Sequence, residues 1–234
     1  MIFAAGLGTR LYPLTENTPK ALVVYKGKPL LEHAIIKVIE AGISHIVINI
    51  HHFGEQIIDF INQHHFNATI EISDEREKLL DTAGGLKHAE RFFKKCNQIL
   101  LYNVDIVSNI NINKFLNATR NTQHAALATL AVRHRETSRY FLFEEPELKL
   151  CGWKNIKTNE QIICYKTETA TSLAFSGIHM VDKKIFDFIP KNEKISFTPL
   201  YLELAKNQTI RGYLHDEDTW GDLGKVDGFK NLKI

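Results

Sequence analysis

Cysteine is scarce in this sequence. Only Cys96, Cys151 and Cys164 occur, an odd number at wide spacing, so neither a disulfide framework nor a zinc pattern can be drawn from them. Reduced thiols in a cytosolic protein are the expected state. Long apolar runs are also lacking. The first run, residues 1–5, is too short for a signal peptide, and none approaches the length of a membrane span. We therefore expect a soluble cytoplasmic protein with no membrane partner.

A strong excess of either charge is missing too. The 29 basic and 27 acidic residues give a formal net charge of +2. A balance so close to zero argues against a nucleic-acid partner, so any anionic ligand must be held by a local site. No repeat, low-complexity tract or linker divides the 234 residues. A chain of this length buries enough surface to fold without disulfides or a structural metal, and we predict one domain over residues 1–234.

Short apolar runs alternate with amphipathic segments through the first half of the chain. The predicted strands are residues 1–5, 45–50, 68–72 and 98–102, and the predicted helices are residues 29–41, 56–63 and 82–93. Strands that alternate with helices across short loops indicate a parallel sheet covered on both faces, with right-handed crossovers.

The rhythm changes after about residue 124. Strand patterns cover residues 125–132, 140–143, 161–165 and 172–180, helices are predicted at 183–189 and 199–206, and the polar segment 144–157 is interpreted as a loop or hairpin near an edge. The sequence therefore predicts a Rossmann-like α/β fold. Its sheet is mostly parallel but mixed, flanked by helices, with an antiparallel extension in the second half.

A glycine loop follows the first predicted strand. Ligands of open parallel sheets bind beyond the carboxyl ends of the strands. Gly6 and Gly8 have no Cβ atoms, so backbone N–H groups can approach phosphate oxygens closely. Arg10 can bind phosphate bidentately, and Lys20 adds a second positive charge. The alternative is a simple glycine turn with a surface arginine.

Two common phosphate-binding motifs are excluded at this loop. A dinucleotide fingerprint requires a third glycine where Leu11 stands, and no Gly-Lys-Ser/Thr triplet of a P-loop occurs. The loop therefore belongs to neither a standard Rossmann dehydrogenase nor a P-loop NTPase.

Two aspartates are candidate metal ligands. Asp105 follows the predicted strand 98–102, and Asp222 lies far along the chain within Trp220-Gly221-Asp222-Leu223-Gly224. Carboxylates from distant strands can bind Mg²⁺, which prefers oxygen ligands, phosphates and water. Each aspartate taken alone could instead cap a local segment, Asp222 a helix starting near Lys225.

The run Gly6-Leu7-Gly8-Thr9-Arg10-Leu11-Tyr12-Pro13-Leu14-Thr15, with Pro19-Lys20 after it, resembles the opening motif of the sugar-1-phosphate nucleotidyltransferases. The compact members include N-acetylmuramate-1-phosphate uridylyltransferases and mannose-1-phosphate guanylyltransferases. The resemblance implies an enzyme that couples a nucleoside triphosphate to a sugar 1-phosphate on Mg²⁺. Members usually carry further residues before this strand, so the chain is expected to begin very close to its active strand.

The same resemblance implies roles for individual residues. Arg10, Lys20 and Asp105 would be catalytic, and Asp105 and Asp222 would hold the metal. The residues expected at the nucleotide are Ala4, Ala5, Gly6, Gly8, Thr9, Arg10 and Lys20, joined by Asp81, Thr82 and Gly84 of Leu80-Asp81-Thr82-Ala83-Gly84-Gly85, which resembles a base- and ribose-contacting segment. The family often has glycine at the position of Asp81 and before Asp105, where this chain has Val104.

Asn103, Lys154 and Gly177 are expected on the sugar side. Gly177 lies in Phe175-Ser176-Gly177-Ile178, which resembles the family's strand beside the sugar pocket, and Lys154 corresponds to a lysine that holds the sugar phosphate. A solvated surface lysine is the alternative for Lys154. Two other functions stay open for the whole chain. One is a cytidylyltransferase acting on choline phosphate or another alcohol phosphate, and the other is a non-catalytic domain that senses nucleotide sugars.

Overall fold

The computed structural model describes residues 1–120, 126–225 and 228 of the chain. Its strands are β1 (Ile2–Phe3), β2 (Val24–Tyr25), β3 (Lys28–Pro29), β4 (His45–Ile50), β5 (Thr69–Asp74), β6 (Gln98–Asn103), β7 (Ile106–Ser108), β8 (Ala128–Arg133), β9 (Arg139–Glu144), β10 (Lys149–Asn155), β11 (Glu160–Ile163), β12 (Ala170–Asp182), β13 (Ile210–Leu214) and β14 (Trp220–Asp222). Its α-helices are α1 (Leu30–Glu40), α2 (Gly54–Gln63), α3 (Asp81–His88), α4 (Ile112–Arg120) and α5 (Phe197–Leu204). Short 3₁₀ helices cover Thr9–Leu11, Lys20–Leu22, Ala89–Phe93 and Lys183–Phe188.

Ten of these strands form one large sheet in the order β11-β10-β13-β8-β12-β6-β1-β4-β5, with β9 pairing with β10 and β12. The pairs β6–β1, β1–β4 and β4–β5 are parallel. In the other half, β12 runs antiparallel to β6, β8 and β9. The predicted mixed sheet, parallel in the first half and extended by antiparallel strands in the second, is confirmed.

Alternate residues of the central strands fill two separate cores. Phe3 of β1 and Leu101 of β6 pack on one face of the sheet with residues of α3 and α5. Ile2, Leu100 and Tyr102 pack on the opposite face with residues of α1 and α2. Successive side chains of a strand point to opposite faces, so apolar runs without alternation are expected where both faces are covered.

Several predicted elements agree closely with the structure. The strand predicted at residues 45–50 is β4 with the same bounds, and the helix predicted at 29–41 is α1. The strand predicted from residue 125 is β8, which begins at Ala128, and residue 125 lies outside the described residues. The helix starting near Lys225, for which Asp222 was considered as a cap, also lies mostly outside them. One domain over residues 1–234 stays a prediction.

Three elements differ from the prediction in whole or in part. Of the two forms predicted for residues 144–157, a loop or a hairpin near an edge, the structure has the hairpin: β10 pairs antiparallel with β9 and also pairs with β11 and β13. Leu150 and Cys151 are buried side by side there, so burial does not alternate along the segment and the strand pattern is hidden. The helix predicted at 183–189 is a 3₁₀ helix, Lys183–Phe188.

The third difference is α4, which the sequence pattern did not predict. Ile112, Phe115 and Leu116 are buried at helical spacing, and Asn111 Oδ1 accepts a hydrogen bond from Lys114 N at 2.9 Å. This is the bond of an N-terminal cap. The signal was present but diluted by asparagines, which are weak helix formers.

No helix in the described part of the chain is long and apolar enough to cross a bilayer.

Candidate active site

The glycine loop leaves the sheet at the carboxyl end of β1. Gly8 has a φ of 69°, in the left-handed region that favours glycine. Its carbonyl oxygen accepts hydrogen bonds from Leu11 N at 2.8 Å and from Thr15 Oγ1 at 2.9 Å. Leu11 is fully buried, so the turn is anchored in the core while Gly6 and Gly8 line a cavity on the other side.

Lys20 and Asp105 form an ion pair, with 2.7 Å between Nζ and Oδ2. Lys20 begins a 3₁₀ turn after Pro19, and the next residue, Ala21, is fully buried. Asp105 follows β6 and is only 6% exposed. A buried carboxylate needs a charged or hydrogen-bonding partner to offset its lost hydration, and Lys20 supplies it. The two residues, predicted for different roles from distant motifs, therefore share one site.

Strand β14 brings Asp222 to the same place. It pairs antiparallel with β7, with Asp222 opposite Ile106. The next residue, Leu223, is fully buried, and its N–H donates to the carbonyl oxygen of Asp105 at 2.8 Å. Asp222 Oδ1 itself accepts from Gly224 N at 2.8 Å. These bonds fix both carboxylates relative to each other through the backbone.

Gly224 marks the point where three charged side chains meet. A Cβ atom built on it would lie 2.5 Å from Asp105 Oδ2, 2.8 Å from Asp222 Oδ1 and 2.9 Å from Arg10 Nη2. Carbon and oxygen atoms that are not bonded do not approach so closely, so a side chain at residue 224 would displace this arrangement. The structure thus brings the two predicted metal ligands together beside the predicted phosphate-binding arginine.

The donor set at this point suits a hard divalent cation. Asp105 and Asp222 offer carboxylate oxygens, which Mg²⁺ prefers. The described ranges contain no group of three or more His, Cys, Asp or Glu side chains that could hold a metal by themselves. Two carboxylates leave the other coordination positions for phosphate oxygens and water, which is how Mg²⁺ is usually bound next to a nucleotide.

A cavity of about 420 Å³ opens beside the glycine loop. Most of the residues predicted from the sequence line it: Ala5, Gly6, Gly8, Thr9, Arg10, Lys20, Asp81, Thr82, Asn103 and Asp105. The predicted residues Ala4, Gly84, Lys154, Gly177 and Asp222 are not among its lining residues.

Asn49 and Glu75 also line the cavity, and the sequence pattern did not single them out. Asn49 Oδ1 accepts from Ala4 N and Asn49 Nδ2 donates to Glu75 Oε1, each at 2.8 Å. Burial raises the pKa of Glu75, and the hydrogen bond from Asn49 opposes that shift. Asn49 is the penultimate residue of β4 and Glu75 follows β5. Their position at the carboxyl ends of strands was the available signal.

The segment at the start of α3 forms another wall. Asp81 has a φ of 62°, which accounts for the glycine that the family often has there. Its Oδ1 accepts from Thr82 N at 2.7 Å. A Cβ on Gly84 would lie 2.3 Å from the carbonyl oxygen of Glu193, so Gly84 packs against that backbone and not against the cavity. Lys194, next to Glu193, lines the cavity and had no signal in the sequence.

On the predicted sugar side, Gly177 lies next to Asn103. The pairing of β12 with β8 is irregular between Phe175 and His179, and Gly177 within it has a φ of 76°. A Cβ there would lie 3.1 Å from Asn103 Nδ2. Lys154 is on β10, with Nζ 5.7 Å from the ring centre of Tyr140, and does not reach the cavity.

Ser176 and His215 form a buried hydrogen bond behind Gly177. The distance from His215 Nε2 to Ser176 Oγ is 2.7 Å, and the two residues are 4% and 0% exposed respectively. Burial and the charge of Arg133 lower the pKa of His215 to about 4, opposed by the charges of Asp218 and Asp216. The histidine is therefore neutral near pH 7 and ties β12 to the segment that leads into β14.

This fold and this site are typical of the α/β proteins that bind nucleotides. The chain belongs to the nucleotidyl transferase family, whose model matches residues 1–233, and the family resemblance is confirmed. Nucleotidyltransferases of this family generally use a divalent metal ion.

Three curated relatives show how similar the chain is to individual proteins of this family. The N-acetylmuramate alpha-1-phosphate uridylyltransferase of Caulobacter vibrioides is 41% identical over 92 residues, 38% of each chain. The protein of the same name from Neisseria meningitidis is 27% identical over 97% of this chain and 93% of its own length. The mannose-1-phosphate guanyltransferase of Pichia angusta is 34% identical over 98% of this chain but only 61% of its own length. The chain thus spans less than two thirds of some of these relatives.

A solved structure supports the fold independently. HddC of Yersinia pseudotuberculosis, in complex with GMP-PN, matches with a TM-score of 0.75 and 19% identity over 99% of this chain and 96% of that one. At this identity the likeness concerns the fold alone.

Proposed function

We propose that this chain transfers a nucleoside monophosphate from a nucleoside triphosphate to a sugar 1-phosphate, releasing pyrophosphate and an NDP-sugar. One observation carries the proposal. Arg10, Asp105 and Asp222 converge on Gly224, and Lys20 joins them through Asp105, at the rim of a cavity lined by the glycine loop. The names of the Neisseria and Pichia relatives, both sugar-1-phosphate nucleotidyltransferases, support the substrate class.

The chemistry is a single in-line displacement. An oxygen of the sugar 1-phosphate attacks the α-phosphorus, the bond from that phosphorus to the bridging oxygen breaks, and pyrophosphate leaves with the electron pair. The attacking phosphate is already anionic, so no general base is needed. Such reactions depend on positioning and on charge stabilisation.

Arg10 and Lys20 are assigned to the triphosphate. The arginine fork can bind two phosphate oxygens at once. Lys20 has three donors, one of which is on Asp105, and two remain for phosphate oxygens. Both side chains would stabilise negative charge that grows on the departing β- and γ-phosphates.

We assign Asp105 and Asp222 to Mg²⁺, which when bound would stabilise charge on the α-phosphate and on the leaving group. The backbone of Ala4, Ala5 and Gly6, with Asp81 and Thr82 opposite, is assigned to the base and ribose. Asn103 and Gly177 are assigned to the sugar. We expect these substrates in the cytoplasm, and a cytoplasmic location of this chain stays a prediction.

The decisive experiment measures pyrophosphate release with Mg²⁺, each of the four nucleoside triphosphates, and a panel of hexose 1-phosphates. Choline phosphate belongs in the panel, because turnover with CTP and choline phosphate alone would identify the cytidylyltransferase alternative. Asp105→Asn serves as the inactive comparison, and Asp187→Asn, at an exposed aspartate outside the site, serves as the matched control.

Absence of pyrophosphate release with every pair would contradict the enzymatic proposal. Binding of an NDP-sugar without turnover would then favour the sensing domain. Against that domain stands the pairing of two carboxylates at Gly224, which binding alone would not require.

A further inference from the structure

The two sides of the site differ in positive charge. Arg10 and Lys20 lie on the nucleotide side, where a triphosphate would engage both. The second substrate of the proposed reaction is also an anion and needs a cation of its own. Lys154, the residue predicted for this purpose, has Nζ over the ring of Tyr140 and does not line the cavity.

Arg135 lies between the segments that carry Gly177 and Asp222. Its Nη2 donates to the carbonyl oxygen of Phe175 at 3.1 Å, two residues before Gly177. Its guanidinium carbon is 4.5 Å from the ring centre of Trp220, two residues before Asp222. Trp220 Nε1 donates in turn to the carbonyl oxygen of Ser176 at 2.9 Å. The guanidinium is therefore held in place by an aromatic face and a backbone carbonyl.

Among the described residues, Arg135 has no ion pair within 4.0 Å, and its Nε is buried without a hydrogen-bond partner. Burial lowers the pKa of Arg135, and the negative charge of Asp222 opposes that shift. A buried donor without a partner is costly, and a desolvated cation gains most from binding an anion.

We propose that Arg135 binds an anionic group of the sugar substrate, either its 1-phosphate or a carboxylate on its ring. The inference rests on the proposed function and adds the residue that recognises the acceptor. Like Lys154, Arg135 is not a lining residue of the cavity, but it is held between Phe175, two residues before Gly177, and Trp220, two residues before Asp222. There its guanidinium offers a planar, fixed set of donors, which Lys154 on β10 does not.

The test compares steady-state kinetics of the wild-type chain with those of Arg135→Gln. KM for the sugar 1-phosphate should rise about 10- to 100-fold, the cost of one charge-assisted hydrogen bond pair. KM for the nucleoside triphosphate should change less than about twofold, because Arg10 and Lys20 are intact. Arg139→Gln, at an exposed arginine of the same segment, is the matched control and should change neither constant.

Two acceptors distinguish the sources of the anion. Glucose 1-phosphate and glucuronic acid 1-phosphate share the phosphate and differ in the ring carboxylate. If Arg135 binds the phosphate, KM rises equally for both in Arg135→Gln. If it binds the carboxylate, KM rises for the glucuronic acid derivative only. Unchanged KM values for both acceptors would overturn the inference, as would a larger increase in Lys154→Met.

A second measurement covers the case in which Arg135→Gln does not fold. Because the guanidinium lies on Trp220, sugar 1-phosphate added to the wild-type chain should change the tryptophan fluorescence, and Trp153→Phe should keep that change. No change on saturation with an acceptor that is turned over would overturn the inference. Failure of the proposed function is separate, since it would show as no turnover by the wild-type chain.

Discussion

The proposed nucleotide side and the proposed sugar side of the site are built by different halves of the sheet. On the nucleotide side, parallel strands end at one edge, and the loops that follow them deliver Gly8, Lys20 and Asp105 directly to the site. On the sugar side, antiparallel strands place Gly177 at an irregularity of β12 and Asp222 on the pairing of β14 with β7, which is three residue pairs long. The first arrangement follows from chain direction alone, whereas the second depends on contacts between distant segments.

The comparison also concerns charge. Lys20 on the nucleotide side is already paired with Asp105 at 2.7 Å, whereas Arg135 on the sugar side lacks an ion-pair partner in the described part of the chain. The point of contact between the two sides is Gly224. Experiments that act on both sides should therefore have the largest effects, and those confined to one wall the smallest.

Removing the divalent metal should lower activity most. Without the cation, the carboxylates of Asp105 and Asp222 would repel the substrate phosphates that the metal is proposed to bind with them. Pyrophosphate release should fall to background in EDTA and return when Mg²⁺ is added in excess. Full activity in EDTA would remove the proposed reason for joining the two sides.

Substituting one of the charged residues that meet at Gly224 should have the second-largest effect on activity. Arg10→Ala and Asp105→Ala should each lower kcat at least about 100-fold, the loss typical of one electrostatic stabiliser. The two variants should keep the secondary structure of the wild-type chain by circular dichroism. Turnover near the wild-type value in either variant would contradict the assignment of that residue.

Gly224→Ala should lower kcat/KM by about 10- to 100-fold, since a displacement of about 1 Å in a site can cost about 100-fold. The added Cβ would overlap Asp105 Oδ2 at 2.5 Å. We also expect a higher Mg²⁺ concentration for half-maximal rate. Gly27→Ala, at a turn where a Cβ meets no atom within 4 Å, should affect stability alone. A Gly224→Ala enzyme with normal Mg²⁺ dependence would show that the carboxylates do not act together.

Substitution of His215, which lies behind Gly177, is expected to have the smallest effect on catalysis and a clear effect on stability. Because the pKa of His215 is lowered to about 4 in the fold, the unfolded chain binds its proton more readily. Stability from this group is full above about pH 6.5 and is lost as pH falls towards 4, by about 2 kcal/mol. His215→Gln should flatten the decrease in Tm over that pH range. If Tm decreases with pH as steeply in His215→Gln as in the wild-type chain, another group causes the loss of stability in acid. His179 is one such group, because burial lowers its pKa to about 3.

Much of the nucleotide side could be predicted from the sequence because its residues are contiguous. A glycine loop after an apolar strand, or an aspartate after β6, can be located without knowing what lies opposite. The convergence of Asp105 and Asp222 could be expected from two motifs, but the role of Gly224 as their meeting point requires coordinates.

The sugar side was harder to predict for physical reasons. In β10 the three consecutive residues Leu150, Cys151 and Gly152 are buried, so the strand has no two-residue period and Lys154 could not be placed. Arg135 has its environment set by Phe175 and Trp220, which are 40 and 85 positions away. Asn49 and Glu75 meet only because β4 and β5 pair in register. Sequence spacing carries no information on such contacts.

The hydrogen bond from Leu223 to Asp105 has a consequence for how the protein matures. Lys20 and Asp105 are both synthesised in the first half of the chain. The second carboxylate is more than one hundred residues behind. The proposed pair of metal ligands is therefore incomplete in a nascent chain until residue 224 has been synthesised and β14 has docked on β7.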